Sequence, residues 1–305
     1  MALGGLLRSA QCHIYIIIWK IFMLNALTID VEDYFQVNAF ARSIRYEDWD
    51  NYPLRVEANT SRILDLLDEF DFKATFYILG WIAERVPGLV REISRRGHEI
   101  ACHGYAHQLI FAIGPDAFRE DVRRAKRILE DLCGEQVCSY RAPSYSITKN
   151  SLWALDILIE EGFVRDSSIF PVYHDTYGMP DAPRFPYVIQ RQAGSITEFP
   201  LTTYRLHAGK SEYRLPIAGG GYLRLLPAQI LIWGIERINR QENQPAVLYF
   251  HPWEIDPDQP RIKAGLKSTF RHYLNLRKTE SKLRKIFAAG RFSTMKAVLQ
   301  QQSVQ

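Results

Sequence analysis

Short apolar segments with the character of buried strands alternate with amphipathic segments of helical periodicity along most of this chain. This alternation is typical of a parallel sheet covered by helices, and polar residues at successive strand ends favour a (β/α) barrel. With 305 residues, the chain is long enough for one such barrel, alone or with an appendage. The predicted strands are 25–32, 74–78, 100–103, 138–141, 163–166 and 246–250, and the predicted helices are 59–70, 82–96, 116–132, 149–161 and 227–240.

One predicted strand ends in a pair of histidines. The apolar run 100–103 finishes at His103, and His107 follows four residues later. If the chain turns helical after the strand, the two imidazoles lie on one face and can bind a single divalent ion. Taken alone, a pair with this spacing is more often two surface or core histidines. The metal interpretation therefore depends on the residues that accompany the pair.

Two carboxylates end the first predicted strand. Apolar residues alternate with polar ones there, so Asp30 and Glu32 share one face. Acidic residues after a strand often cap the next loop. Here, however, a second strand brings histidines to the same predicted rim. A carboxylate with two histidines is a common catalytic zinc set, which leaves a coordination position open for water or substrate.

Five short motifs occur at or near the ends of the predicted strands. They are Asp30-x-Glu32, His103-x-x-x-His107, Tyr140-Arg141-Ala142-Pro143, Asp166-Ser167-Ser168 and Leu248-Tyr249-Phe250-His251-Pro252. These motifs resemble those of the polysaccharide deacetylase (NodB-homology, carbohydrate esterase family 4-like) family, in the family's order. The resemblance spans about residues 25–297 and implies an α/β fold, a distorted (β/α)7 barrel with a family-specific C-terminal elaboration. Residues 30–35 and 250–257 resemble in particular the branch associated with exosortase/PEP-CTERM exopolysaccharide loci, which carries a DUF3473 C-terminal region.

The resemblance implies a metal site built from the first two motifs. The ion would be Zn²⁺, or another divalent cation such as Co²⁺, held by Glu32, His103 and His107. The best-known members carry adjacent aspartates in the first motif, whereas this chain reads Asp30-Val31-Glu32-Asp33. Asp33 therefore remains a rival to Glu32 as metal ligand.

The resemblance also implies the proton-transfer and substrate residues. Asp30 would be the base, oriented by Arg141, whose planar fork suits a carboxylate. His251 would protonate the departing amine, with Asp166 setting its orientation and pKa. A backbone N–H near Tyr145 would stabilise the oxyanion. The candidate walls against the sugar ring are Tyr34, Tyr145 and Trp253.

Three regions are expected along the chain. Residues 1–22 are an N-terminal extension ahead of an alternative start at Met23, residues 23–168 form the N-terminal part of the barrel, and residues 169–300 complete it. The apolar stretch 13–24 is interrupted by Lys20, is short for a membrane span and lacks a small-residue cleavage site. No stable membrane insertion is expected, although the stretch leaves membrane association open.

The cysteines indicate the compartment only weakly. Cys12, Cys102, Cys133 and Cys138 are irregularly spaced and are expected to be reduced thiols, which favours the cytoplasm. The balance of 38 basic and 34 acidic residues gives no indication of nucleic-acid binding. The basic stretch 261–285 is either a solvated face or a surface that attracts an acidic polysaccharide.

The predicted activity is metal-dependent hydrolysis of N-acetyl groups on an amino-sugar polymer or its precursor, in exopolysaccharide biosynthesis. Two alternatives stand beside it. The same chemistry would serve a small non-sugar amide, as in uric-acid-pathway relatives of this fold. A polysaccharide-binding pseudoenzyme is the other alternative, and chemically competent residues at all five motifs argue against it. The sequence specifies neither the polymer nor the oligomeric state.

Overall fold

The computed structural model describes residues 23–174, 177–208, 211–217 and 219–303. The predictions for residues 1–22, for Cys12 and for most of the apolar stretch 13–24 therefore lie outside the described residues. Among the helices within these ranges, none combines the length and the apolar composition needed to cross a bilayer.

Eleven strands are present in the described residues, and nine of them form one sheet. Its order is β10-β1-β2-β3-β4-β5-β7-β6, with β11 beside the start of β1, and only the β6–β7 pair is antiparallel. β8 and β9 form a separate hairpin. The strands are β1 (Leu24–Val31), β2 (Thr75–Ile78), β3 (Glu99–Cys102), β4 (Ser139–Tyr140), β5 (Arg165–Asp166), β6 (Tyr187–Arg191), β7 (Gly194–Glu198), β8 (Thr203–Ala208), β9 (Ser211–Pro216), β10 (Val247–Phe250) and β11 (Arg291–Ser293).

Helices follow most of the parallel strands and pack on the outside of the sheet. The helices are α1 (Val56–Glu69), α2 (Gly80–Arg85), α3 (Pro87–Arg95), α4 (Ile110–Cys133), α5 (Trp153–Glu160), α6 (Gly221–Leu225), α7 (Ala228–Arg237), α8 (Leu266–Tyr273), α9 (Leu276–Ala289) and α10 (Met295–Ser303). The seven parallel strands β10, β1 to β5 and β7 confirm the predicted distorted (β/α)7 barrel. Between β7 and β10, the Val247 N–H donates to Thr202 Oγ1 (2.6 Å).

The single helix predicted over 82–96 is wrong. The structure has two helices there, α2 and α3, which meet at Pro87. Proline has no N–H to donate and fits only the first turn of a helix, so α3 begins at this residue. The predicted helix 116–132 is longer than expected, since α4 begins at Ile110 and has a kink at Gly114, where φ is +77°.

The strand register brings the motif residues to one rim of the sheet. Val31 pairs with Ile78, Ile78 with Cys102, and Cys102 with Tyr140. On the other side of β1, Ile29 pairs with Phe250. Residues that follow these positions therefore leave the sheet at the same edge, where barrel enzymes place their active sites.

An aromatic cluster packs α9 and β11 against the segment between α1 and β2. Phe287 of α9 is buried, and its ring centroid lies 5.5 Å from that of Phe70, 5.6 Å from Phe72 and 5.8 Å from Phe292. Edge-to-face packing of this kind adds to the free energy of burial. The cluster therefore fixes α9 and β11 against the end of α1.

We expect Phe287→Ala to lower the free energy of unfolding by about 3–5 kcal/mol, because it removes a buried ring and leaves a cavity. The matched control is Phe270→Ala, whose ring is 64% exposed. Phe270→Ala should change the free energy of unfolding by no more than about 0.5 kcal/mol. Urea unfolding followed by tryptophan fluorescence gives both values, and equal losses would contradict the role of the cluster.

Candidate active site

A fully buried arginine after β4 binds the carboxylate at the end of β1. Arg141 Nη1 donates to Asp30 Oδ1 (2.6 Å) and to Thr28 Oγ1 (2.8 Å). Its Nε and Nη2 donate to the carbonyl and hydroxyl oxygens of Ser167 (3.1 and 2.9 Å). Burial opposes the charge on Arg141, but the Asp30 carboxylate raises the pKa of the guanidinium. Every guanidinium nitrogen thus has an acceptor, and one oxygen of Asp30 is held in place.

Glu32, His103 and His107 bring ligand atoms together at the same rim. One carboxylate oxygen and one nitrogen from each imidazole all lie within 4.8 Å of one another. Burial alone would raise the pKa of Glu32, but the neighbouring imidazoles, His107 first, hold it well below its usual range. The sequence prediction placed these three residues in one metal site, and the structure places their side chains together.

The donor geometry fits a divalent cation. His107 Nε2 lies 2.7 Å from Glu32 Oε2, yet this buried oxygen accepts no aligned hydrogen bond from the described residues. A buried carboxylate oxygen without a partner is costly unless something else neutralises it. His103 Nδ1 donates to the Arg141 carbonyl (2.7 Å), which leaves its Nε2 lone pair free for a metal. One carboxylate and two histidines suit Zn²⁺ and its neighbours.

The two histidines lie on a loop, and the predicted helical arrangement is wrong. Gly104 and His107 have positive φ values of +74° and +52°, and α4 begins only at Ile110. The Tyr105 and Ala106 N–H groups donate to the Asp121 carboxylate (2.8 and 3.2 Å), which fixes the turn. Asp121 was not identified from the sequence, because nothing in its local pattern indicates a distant loop.

Asp33, the rival ligand, has other partners. Its carboxylate accepts hydrogen bonds from the N–H groups of Tyr34 (2.9 Å), Arg55 (2.7 Å) and Val56 (2.9 Å). The last two lie at the start of α1, so Asp33 caps that helix. Burial raises the pKa of Asp33 to about 6 in spite of these bonds. Both of its oxygens are occupied, and it does not join the histidines.

His251, which follows β10, faces the same group of residues. Its Nε2 lies 3.6 Å from Glu32 Oε1 and 3.9 Å from Asp30 Oδ2. On the other side of the ring, Nδ1 lies 3.0 Å from Glu254 Oε2, which also accepts the His251 N–H (3.0 Å). Burial opposes protonation of His251, but the carboxylates, led by Glu32 and Glu254, raise the pKa of its imidazole to about 9.

Glu254 is the carboxylate beside His251 Nδ1, where the prediction placed Asp166. It is fully buried, and Arg224 Nε donates to its Oε1 (2.5 Å). Burial would raise the pKa of Glu254, but Arg224 and His251 lower it to about 2. The signal for Glu254 in the sequence is its place three residues after His251, in the short helix Pro252–Ile255, where the two form a capping box.

Among the described residues, Asp166 forms no hydrogen bond or ion pair with His251, so its predicted role as partner of His251 needs correction. Its Oδ1 accepts from Ser168 Oγ (2.6 Å), and it pairs in register with Glu198 of β7. Burial and the Asp166 carboxylate raise the pKa of Glu198 well above its usual value. A protonated Glu198 can therefore donate to Asp166, behind the Arg141 network.

An open cavity of about 530 Å³ lies over these residues. Tyr145 and Trp253 line it, as predicted for substrate contacts. Tyr34 does not, because its ring is fully buried in the core against Phe35 (centroids 5.2 Å apart). Trp253 also has a structural role, since its Nε1 donates to Glu32 Oε1 (3.1 Å). The predicted oxyanion donor is a backbone N–H near Tyr145; the N–H of Tyr145 itself donates to the Ala142 carbonyl (3.0 Å).

Comparison with protein families divides the chain into two parts. Residues 45–158 match the family described as "Polysaccharide deacetylase", and residues 167–300 match "Domain of unknown function (DUF3473)". Asp30 and Glu32 precede the first match, whereas His251 and Glu254 lie in the second. The site thus draws on both matched regions and on the segment before them.

Curated relatives match the first region. A peptidoglycan-N-acetylglucosamine deacetylase from Bacillus cereus is 36% identical over 98 residues, which cover 32% of this chain and 36% of the relative. A chitooligosaccharide deacetylase from Sinorhizobium fredii is 35% identical over 100 residues, 32% of this chain and 44% of the relative. The matched stretch is less than half the length of either protein.

Solved structures show the same fold over nearly the whole chain. A crystal structure assigned as a polysaccharide deacetylase from Mycobacterium smegmatis has a TM-score of 0.60 at 22% identity, covering 92% of this chain and 90% of that one. An allantoinase has a TM-score of 0.57 at 15% identity, covering 92% and 89%. At these identities the likeness shows the fold alone. On the sequence matches, the chain contains a region similar to the polysaccharide deacetylase family, followed by a region that matches DUF3473.

Proposed function

We propose that this protein is a metal-dependent hydrolase that removes N-acetyl groups from an amino-sugar polymer or its precursor. The observation that carries the proposal is the convergence of three units at one rim: the Glu32, His103 and His107 group, the Asp30–Arg141 pair, and His251 beside Glu254. Because the cavity above them is open, an extended saccharide fits it better than a small enclosed amide does.

Glu32, His103 and His107 would hold the cation, with Zn²⁺ favoured and Co²⁺ a substitute. When bound, a divalent ion supplies Lewis-acid chemistry, polarising an amide carbonyl and lowering the pKa of water from 15.7 to about 7. Such activation explains how an amide could be cleaved without a serine or cysteine nucleophile.

Asp30 would accept the proton of the attacking water. Arg141 fixes its Oδ1, so Oδ2, on the side of His251, is the oxygen left for proton transfer. His251 would then donate from Nε2 to the departing amine, while Glu254 holds its Nδ1. The Glu254 carboxylate beside Nδ1 favours the protonated imidazole that a general acid requires.

We place this reaction in exopolysaccharide biosynthesis, because residues 30–35 and 250–257 resemble the branch of the family found at exosortase/PEP-CTERM loci. A cytoplasmic location is part of the proposal, since Cys102, Cys133 and Cys138 are free thiols.

The first test is release of acetate. Protein loaded with Zn²⁺ should release acetate from N-acetylglucosamine oligomers or from crude exopolysaccharide, and a chelator should abolish the release. The variants His103→Ala and Glu32→Gln should lose both the bound metal and the activity, because each removes one of three ligands. Metal content is measured by elemental analysis beside the acetate assay.

The matched control for these variants is Glu280→Gln, which removes a half-buried carboxylate that pairs with Arg62. It should retain metal and activity. Acetate release that survives both chelation and His103→Ala would contradict the metal site. One equivalent of bound metal with no release would favour a small amide as substrate, and neither metal nor release would favour a binding protein.

A second test concerns the partner of His251. We expect Glu254→Gln to lower kcat by about tenfold or more, because general-acid catalysis is worth about 10²–10⁴-fold and the amide cannot hold the imidazolium as the carboxylate does. Metal content should be unchanged, since Glu254 is not among the ligand atoms. Thermal melting checks the fold, because Arg224 is left with a weaker partner.

Asp166→Asn is the matched comparison for Glu254→Gln, being the same carboxylate-to-amide change at the residue that the motif order would select. Asp166 binds Ser168 and lies beside Glu198, so we expect a smaller loss of kcat. A larger loss in Asp166→Asn than in Glu254→Gln would overturn the assignment of Glu254 as the positioning residue of His251.

A further inference from the structure

One wall of the open cavity is cationic. Arg42, Lys267 and Arg271 line it together with the proposed catalytic residues, and all three side chains are exposed. The carboxylates that line the cavity are Asp30 and Glu32, which already face Arg141 and the histidines. The mouth of the site therefore presents uncompensated positive charge.

These three cations have no acidic partner in the part of the chain that the structure describes, where none lies within 4.0 Å of a carboxylate oxygen. Many other arginines of the described surface are paired. Examples are Arg85 with Asp50 (2.7 Å), Arg96 with Asp65 (2.9 Å) and Arg191 with Asp156 (2.6 Å). Arg42, Lys267 and Arg271 are therefore available to an anion that enters the cavity.

The position of Lys267 on α8 is unfavourable for the helix itself. Lys267 lies in the first turn, where the helix dipole favours acidic side chains, and no acidic residue is present there. Arg271, in the last turn, is favoured by the dipole, but it lies four residues after Lys267 on the same face, where like charges repel. Local helix stability therefore does not account for Lys267, and an anionic partner in the cavity would explain why the two cations lie side by side.

Aromatic contacts connect this wall to the catalytic rim. The His272 ring stacks on Trp253 (centroids 4.2 Å apart), and Trp253 donates to Glu32. His272 also contacts the Phe40 ring (4.6 Å), which lies two residues before Arg42. In addition, Arg224 Nη1 donates to the Arg271 carbonyl (2.5 Å). The backbone at Arg271 and the loop carrying Arg42 are therefore fixed relative to Glu32.

We propose that the cavity binds a sugar bearing an anionic group, a carboxylate or a phosphate, which Arg42, Lys267 and Arg271 hold while an N-acetyl group lies over Glu32 and the histidines. This inference rests on the proposed deacetylase function and specifies its substrate class. Arginine and lysine both bind carboxylate and phosphate oxygens, so the shared chemistry is the anion.

The test compares matched substrates. Acetate release is measured on neutral N-acetylglucosamine oligomers, on oligomers in which N-acetylglucosamine alternates with a uronic acid, and on N-acetylglucosamine oligomers with a terminal phosphate. For the Zn²⁺-loaded protein we expect kcat/KM to be higher on one or both anionic substrates than on the neutral one. The uronate and phosphate arms then identify which anion is bound.

Substitution of the wall should reduce this preference. In the double variant Lys267→Gln/Arg271→Gln, the ratio of anionic to neutral kcat/KM should fall about tenfold, since each exposed charge contact contributes up to about fivefold. Arg42→Gln should reduce the ratio further. Raising the ionic strength should reduce it in the unchanged protein too, because exposed charges are screened.

Arg277→Gln/Lys285→Gln is the matched control, because it removes two exposed cations of α9 that do not line the cavity. This control should keep the ratio. A ratio that is unchanged in Lys267→Gln/Arg271→Gln, or that falls equally in the control, would overturn the proposal.

Binding separates this inference from the activity on which it rests. Fluorescence polarisation with labelled uronate and phosphate oligomers needs no turnover. Binding of an anionic oligomer that is lost in Lys267→Gln/Arg271→Gln, without acetate release from any substrate, would support the anion site and contradict the deacetylase. Acetate release without preference for anionic oligomers would support the deacetylase and contradict the anion site.

Discussion

The buried ion pair between Arg141 and Asp30 is the interaction on which the candidate site depends. Burial of two charges is costly, and only good geometry with complete hydrogen bonding offsets it. Here the guanidinium binds Asp30 and Thr28 of β1 and Ser167 after β5, so one side chain connects three strand ends. The Arg141 carbonyl also fixes the ring of His103. Loss of either side chain would leave an unpaired buried charge, at a cost of about 3–5 kcal/mol. Loss of Arg141 would also release the Asp30 carboxylate from its fixed position.

The strand ends could be predicted because they follow from local chemistry. A period of two places Asp30 and Glu32 on one face of β1, and neighbouring parallel strands end at one rim. The identity of the partner of His251 could not be predicted in this way. The short helix that begins at Pro252 returns Glu254 to the N–H and ring of His251, whereas Asp166 meets Glu198 across the β5–β7 pair. Which carboxylate reaches the imidazole depends on the local turn at Pro252 and not on motif order.

The histidine pair shows a second limit of sequence patterns. A spacing of four residues specifies the separation of the histidines along the chain, but it does not specify the backbone conformation between them. The structure reaches a shared ligand position through a loop with positive φ at Gly104 and His107. A side chain at Gly104 would place its Cβ 2.7 Å from Asp121 Oδ2, so the turn requires glycine at that position. The loop is held by Asp121, a residue of α4 that only the folded chain brings near.

The C-terminal region completes the candidate site and is more than an appendage to the barrel. It supplies His251 with its partner Glu254, and it supplies Trp253, which donates to Glu32. Through the stacking of His272 on Trp253, it also places α8 at the mouth of the cavity. The groups proposed for chemistry thus lie on buried strand ends, where any change disturbs the core, whereas the exposed cations lie on a helix that tolerates substitution. On the proposed function, a chain built in this way could change its substrate preference through α8 while the buried groups stay fixed, which is how (β/α) barrels separate specificity from catalysis.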